Sequence, residues 1–532
     1  MSFLSEEEVA SFRSSGQFDE EWYVEQYPDV KLVGMDPARH FLWVGAKLGR
    51  RPSAAAAATP ANDRDGRDAI QADPAPTKRR KRHVRTTIQK IQAASETRSA
   101  LKVLTPELRS KIYESGFFDE QYYENAHGDL ISDRNDLLAD YIRASKSDPD
   151  RDPGPLFSTR YYLDTHEDVR NIHPFVHYVQ YGMHEGRAAF SPEKVNAFLE
   201  GAGDVELDSL LDIVPRGRPI NVLYWGEGNF FFADVAQYLE QLLTEQGYQV
   251  TVRTDLSESA HDVLNIVVAP HEFCALGPGR HWTADQYADA VYVNTEQWQT
   301  SWFALSLKYL RRTHRGVLDL NPSSAQGLVK LGMRTAFLPL LPLPGSCFDF
   351  SEKQPLSRHV TWHKFVEPLC YPDLLEERPY DVLCCGVLND RRAKGLAAMA
   401  PVLAWHRCFI HVPRFNRPIK PGEPDVLSAE DFAQIARNSK IMLNIHQGES
   451  HYIEWQRAFL VGMMQGVIVV SEPCYPNRYV QPGVHYVETS LERMGSVITE
   501  LLTTKAGKKK MAEIHANIMD LRDRIRRGER FL

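Results

Sequence analysis

Residues 439–472 constrain this chain more than any other stretch. Two short apolar runs, 441–445 and 467–470, flank a polar loop and a segment with helical spacing. Continuous apolar runs of that length, separated by a helix, predict buried strands of a parallel sheet covered on both faces. The loop and the start of the helix hold His446, Glu449, His451, Glu454 and Arg457. Ligands of open α/β sheets bind outside the carboxyl ends of the strands, so a ligand site is expected here.

The same alternation recurs upstream. Strands are predicted at 220–224, 249–253, 263–269, 291–294, 316–320 and 335–338, with helices at 234–246 and 301–312 and a short one to Leu331. Pro339, Pro342 and Pro344 end that unit. A second unit starts with a strand at 380–385. It continues through a strand at 406–412, a helix at 429–438, the stretch above and a helix at 490–502. The fold class expected is α/β: two Rossmann-like domains, 215–345 and 346–504, facing a cleft and followed by a basic amphipathic helix within 505–532.

An internal repeat precedes them. Its copies start at Phe18, Phe118 and Phe157, each with an aromatic residue five positions on (Tyr23, Tyr123, Tyr162) and an aspartate eleven positions on (Asp29, Asp129, Asp168). Copies one and three continue to a histidine and a glycine (His40 and Gly45, His177 and Gly182); Ser145 replaces the glycine in copy two. Each copy reads as two short helices packed through the aromatics, with a sugar- or partner-binding aromatic face as the alternative. The boundaries expected are 1–52 for repeat one, 53–105 for a flexible linker and 106–214 for repeats two and three. The linker carries the basic run 78–85, which reads as a solvated segment or as a contact for anionic lipid headgroups.

Composition bounds the function. A chain of 532 residues is too long for one core. The net charge of -8 argues against nucleic acid as the main partner. Seven cysteines without a zinc-type Cys-x-x-Cys pair suggest a reducing compartment, and Cys384-Cys385 lie in an apolar run. The acidic N-terminus lacks the apolar core of a secretory signal, and no run of about 18 apolar residues is present. A cytoplasmic location is expected, with possible peripheral contact at the inner membrane face.

Several elements match a family pattern. Gly386 is followed by Arg391, Arg392 and Lys394-Gly395; Asn444 ends a strand; residues 454–457 enter a helix that Gly466 ends, and 467–471 follow. In these features the C-terminal three-fifths resembles bacterial glycosyltransferases of the GT-B fold, group 1 type. The N-terminal repeats resemble modules that accompany polysaccharide glycosyltransferases. The resemblance implies a nucleotide-sugar donor held by the C-terminal domain and an acceptor held by the N-terminal one. It also implies transfer without a metal, and no cofactor beyond the nucleotide-sugar substrate. One departure stands out. Many retaining members carry two glutamates eight positions apart around this helix. Glu454 can stand for the first, but the second position is Gly462 or Val461, which leaves retention and inversion both open.

The resemblance assigns candidate donor-binding roles to Gly386, Arg391, Lys394, Asn444, His446, His451, Glu454 and Arg457. Arg391 and Lys394, read as lying in a loop after a strand, are the expected diphosphate contacts, because cations must offset the leaving charge where no metal does. His271 and Glu272, just past the strand at 263–269, are candidate general bases for the acceptor hydroxyl. Glu227, Asn229 and Trp298 are candidate acceptor contacts, the indole by stacking on a sugar ring. The acceptor class is a saccharide, a lipid-linked glycan or a protein. Two alternatives remain: a nucleotide-sugar epimerase of the same fold, and an inactive scaffold that binds partners through its repeats.

Overall fold

The apolar runs become strands and the Phe-led copies become helix pairs. The computed structural model describes residues 6–26, 36–42, 51–53, 104–169, 172–203, 205–255, 263–350, 374–414, 426–452, 454–475 and 479–527. They fall into two compact units, Met1–Ser191 and Pro192–Leu532.

In the first unit, the leading helices of the three copies are Glu20–Gln26, Glu120–His127 and Thr159–Thr165. Asp19, Asp119 and Ser158 cap them, each accepting from the amide three residues on. The amides of these caps donate to Pro52, Pro153 and Ala189 at 2.8–2.9 Å, so each copy is closed by its own end. The aromatic residues at the fifth position are fully buried. Tyr23 and Tyr162 bond His40 and His177 at 3.0 and 2.9 Å. Tyr123 instead donates to Asp140 at 2.9 Å. These three tyrosines are therefore core, and a sugar-binding face built on them is not available. Asp29, Gly45 and the basic run 78–85 lie outside the described residues.

The second unit contains two parallel sheets. The first comprises β1 (Ile220–Leu223), β2 (Val250–Arg253), β3 (Leu264–Val268), β4 (Val291–Asn294), β5 (Gly316–Asp319) and β6 (Thr335–Phe337). Its order is β2-β1-β3-β4-β5-β6. The second comprises β7 (Tyr380–Cys385), β8 (Cys408–His411), β9 (Ser439–Asn444), β10 (Ile468–Ser471) and β11 (Val487–Glu488), in the order β8-β7-β9-β10-β11. Every pairing between these strands is parallel. This is the two-Rossmann α/β architecture that the resemblance implies. Central strands β1, β3, β4, β5 and β10 are buried along their whole length, as continuous apolar runs require.

In both sheets the chain steps outward once and then reverses. The switch points fall between β1 and β3 and between β7 and β9, where open α/β sheets place their ligands. The helices Pro192–Glu200 and Leu210–Ile213 precede β1 within this unit. The basic tail is the helix Lys505–Arg526, capped by Thr504, whose Met511, Ile514, Ile518, Leu521 and Ile525 form one buried stripe. Among the described residues no helix is long and apolar enough to cross a membrane.

Candidate functional site

At the second switch point the residues after β7 and β9 surround a recess with about 350 Å³ of empty space, open solvent included. Gly386, Arg392, Asn444, Glu454 and Arg457 line it, with Cys384 and Cys385 from the end of β7. Gly386 is a close approach: a Cβ there would stand 3.1 Å from Arg392 Nη1 and 3.2 Å from Arg457 Nη1. Two guanidinium groups thus converge on one backbone position. Arg392 is 6% exposed and is held by the carbonyls of Ile445 and Val387 at 2.8 and 2.9 Å. Arg457 and Glu454 form no side-chain hydrogen bond or ion pair with the described residues. Both belong to a helical segment, Trp455–Gly462 with Glu454 as its cap, wound as a π-helix. Such segments are rare and recur at functional sites.

The basic cluster is arranged differently from the expectation. Residues 390–403 form a helix, capped by Asn389, so Arg391 and Lys394 lie in its first turns and not in a loop. The cue was local: an asparagine followed by Asp390 is an N-terminal helix signal. Arg391 grips both oxygens of Glu472 at 2.8 and 2.5 Å and donates to the His446 carbonyl at 3.1 Å. Its charge is already matched by a carboxylate, which raises its pKa. Lys394 is exposed and does not line the recess.

The two histidines diverge. His446 is buried against the Tyr452 ring at 4.3 Å, its Nε2 has no partner, and burial lowers its pKa to about 4. His451 turns toward Glu200, 3.6 Å from its Nδ1. Asn444 donates to Ser471 at 2.9 Å and ties the ends of β9 and β10. Of the eight candidate donor residues, Gly386, Asn444, Glu454 and Arg457 meet at the recess.

The first switch point gathers carboxylates. The Gly226–Asn229 turn does not wait for a phosphate: the Asn229 amide donates to Glu272 at 3.0 Å, and a Cβ on Gly228 would collide with that carboxylate. Ala269, just before His271 and Glu272, adopts φ 53° and is the sole non-glycine with positive φ among the described residues. Strain of this kind concentrates at functional sites. His271 is 2% exposed, bonds Ser306 at 3.0 Å through Nδ1 and faces Glu296 at 3.5 Å through Nε2. Burial lowers its pKa to about 3, so it is neutral at physiological pH. Glu296 is pushed up to about 7 by burial, with the Glu272 charge adding to it. Glu272 is itself raised by burial. Glu296 is not among the sequence candidates; its place two residues past the end of β4 is the only local signal for it.

Glu227 is exposed. Trp298 is 2% exposed, stacked on Phe303 at 4.7 Å, with Nε1 donating to Ser324 at 2.7 Å. Its ring is core and offers no face to a sugar. The hydroxyl of Ser324 in turn donates to Asp319 at 2.6 Å, which also accepts from Asn294 at 2.8 Å.

No family model matches the chain, and no curated protein matches it in sequence. Solved structures do. HepE of Anabaena in complex with UDP is 12% identical, with 58% of this chain and 98% of that one covered, at a TM-score of 0.33. An alpha1,3-fucosyltransferase with GDP-fucose is 11% identical over 61% and 88%, at 0.31. Sucrose-phosphate synthase of Thermosynechococcus elongatus is 11% identical over 58% and 94%, at 0.35.

Proposed function

We propose that the chain is a glycosyltransferase that moves a sugar from a nucleotide-sugar donor to a hydroxyl of a saccharide, lipid-linked or protein acceptor, in surface polysaccharide or glycoconjugate synthesis. The observation that carries this reading is the recess after β7 and β9, where Arg457 and Arg392 flank Gly386 beside Glu454. A diphosphate needs two nearby cations and close backbone approach, and a sugar needs acceptors for its hydroxyls. Arg457 is the principal diphosphate contact in this reading, since Arg391 is engaged by Glu472.

In the reaction, the bond between the anomeric carbon and the diphosphate oxygen breaks, and the nucleotide leaves with the electron pair. The acceptor oxygen forms the new bond and gives up its proton. Glu296, with a pKa near the working pH, and Glu272 beside it are the proposed bases. The guanidinium groups replace a metal in offsetting the leaving charge. The reaction takes place in the cytoplasm, and the basic run 78–85 with the lysines of the 505–526 helix would contact anionic headgroups.

The test is a thermal-shift screen of UDP-, GDP-, dTDP- and CMP-sugars, with and without EDTA. A donor at about 100 times its dissociation constant stabilises by about 2.7 kcal/mol. A selective shift that EDTA leaves intact and Arg457→Ala abolishes is expected. No shift with any donor overturns the reading. Release of an isomeric nucleotide sugar without acceptor would mark an epimerase instead.

A further inference from the structure

The helix Pro192–Glu200 has two working faces. One docks on the first-sheet helix Pro322–Lys330. There Leu199 fills the space above Gly327, where a Cβ would come within 2.5 Å of it. Phe198 packs on Trp298 at 5.3 Å, and Lys330 donates to the Gly201 carbonyl at 3.3 Å. The other face reaches the second sheet. Asn196 Oδ1 accepts from the His451 amide at 3.0 Å and from the Tyr475 hydroxyl at 2.9 Å. His451 belongs to the loop that leaves β9, and Tyr475 to the loop that leaves β10. One amide oxygen, using both lone pairs, thus holds the two loops at the carboxyl edge of the second sheet from a helix anchored on the first.

We infer that Asn196 is a positioning residue: it braces the loop 446–452 across the two sheets and so sets the shape of the recess that Ile445 and Glu454, on either side of that loop, line. The same loop is fixed from the other side, where Asn389 Nδ2 donates to the Gln447 carbonyl at 2.8 Å and the Gln447 amide donates to Tyr452 at 3.1 Å. Glu200, 3.6 Å from His451 Nδ1, adds a second contact from the same helix. The brace is a statement about the fold; its effect on donor binding rests on the glycosyltransferase reading.

Two substitutions isolate the brace in the full chain. Asn196→Leu keeps the size and removes the acceptor, while Asn196→Asp keeps an oxygen that accepts both bonds. Hydrogen–deuterium exchange over 446–452 should rise about fivefold to tenfold in Asn196→Leu, as expected for loss of a hydrogen bond or two, and stay at the parent level in Asn196→Asp. The affinity for whichever nucleotide sugar the parent binds should fall by a similar factor in the leucine variant alone. Unchanged exchange over 446–452 in Asn196→Leu overturns the brace. Should that variant fail to fold, Tyr475→Phe removes one of the two bonds from the far side and must raise exchange at 473–475 and 446–452. If the parent binds no nucleotide sugar, the glycosyltransferase reading falls while the exchange experiment still decides the brace.

Discussion

Arg391 and Glu472 form a two-pronged ion pair across 81 residues of sequence, at 2.8 and 2.5 Å. The same carboxylate accepts from the His446 amide at 2.8 Å, so one side chain just past β10 joins the first turn of the 390–403 helix to the loop after β9. Glu472 is 5% exposed and Arg391 is partly open. Removing the carboxylate leaves a guanidinium and an amide without their partner. Glu472→Ala should therefore destabilise the chain by about 2 kcal/mol, below the value for a fully buried pair because solvent reaches Arg391. Glu472→Gln, which keeps an acceptor, should cost roughly half of that, measured by urea unfolding.

Arg457 should behave in the opposite way. It makes no side-chain ion pair or hydrogen bond with the described residues, so Arg457→Ala should change stability by less than about 0.5 kcal/mol. It should nonetheless weaken nucleotide-sugar binding by about tenfold or more, the worth of one charge-assisted contact to phosphate. Arg391→Ala should show the converse, a loss of stability with a smaller effect on binding. Isothermal titration beside chemical unfolding of the two variants reads both quantities. Equal binding losses would mean that Arg391 leaves Glu472 for the ligand.

The contrast between these two arginines marks what the sequence could and could not carry. Both sheets, the repeat spacing and the loop after β9 were legible, because apolar runs and periodic aromatics are local signals. The 390–403 helix was half legible: Asn389 and Asp390 announce its start, but Arg391 and Arg392 read first as a basic loop. The pairing of Arg391 with Glu472 was not legible, since only the parallel pairing of β7 with β9 and of β9 with β10 brings residues so far apart together. Trp298 shows the same limit in reverse. A tryptophan past a strand end looks like a sugar platform until Phe303, Phe198 and Ser324 enclose it. The π-winding after Glu454 has no sequence signature distinct from an ordinary helix.

Glu296 makes a prediction with a sign. Its folded pKa, about 7, lies above the ordinary glutamate value of 4.5, because burial and Glu272 both oppose its charge. The folded state therefore binds a proton more tightly than the unfolded one. The stability that this contributes is complete below pH 4.5 and is lost as the pH rises through 7. Glu296→Gln should be more stable than the parent at pH 8, by about 2 kcal/mol, with the difference vanishing at pH 4. If Glu296 is the base, the same variant should also abolish the rise of kcat/KM with pH near 7.

His515 works in the other direction. Burial and the charges of Arg378 and Arg522 lower its pKa to about 4. The unfolded chain protonates this ring near pH 6.5 and the folded chain does not, so its contribution is complete above pH 6.5 and falls as the pH drops toward 4. Arg378 is itself held in place, donating to the carbonyls of Ser439 and Gln465 at 2.8 and 2.9 Å. His515→Leu should flatten the loss of stability between pH 6.5 and 4 by about 1 kcal/mol or more, read from thermal unfolding across that range.

The repeats offer a test by compensation. Gly182 packs so closely on the Tyr162 ring that a Cβ there would collide with the hydroxyl and come within 3.2 Å of the carbon that bears it. Gly182→Ala should therefore destabilise the first unit by about 1–3 kcal/mol, the usual range for overpacking. Tyr162→Phe removes the hydroxyl and its 2.9 Å bond to His177, at a cost of about 1 kcal/mol. In the double variant the hydroxyl is no longer there to collide, and the ring carbons of Tyr162 at 3.2 Å and Tyr178 at 3.3 Å can give way by a few tenths of an ångström. The cost of the double variant should then fall short of the sum of the two single costs by about 1 kcal/mol or more in a double-mutant cycle. Simple additivity would mean that the glycine is required by the winding of the Tyr178–Gly182 turn and not by the tyrosine above it.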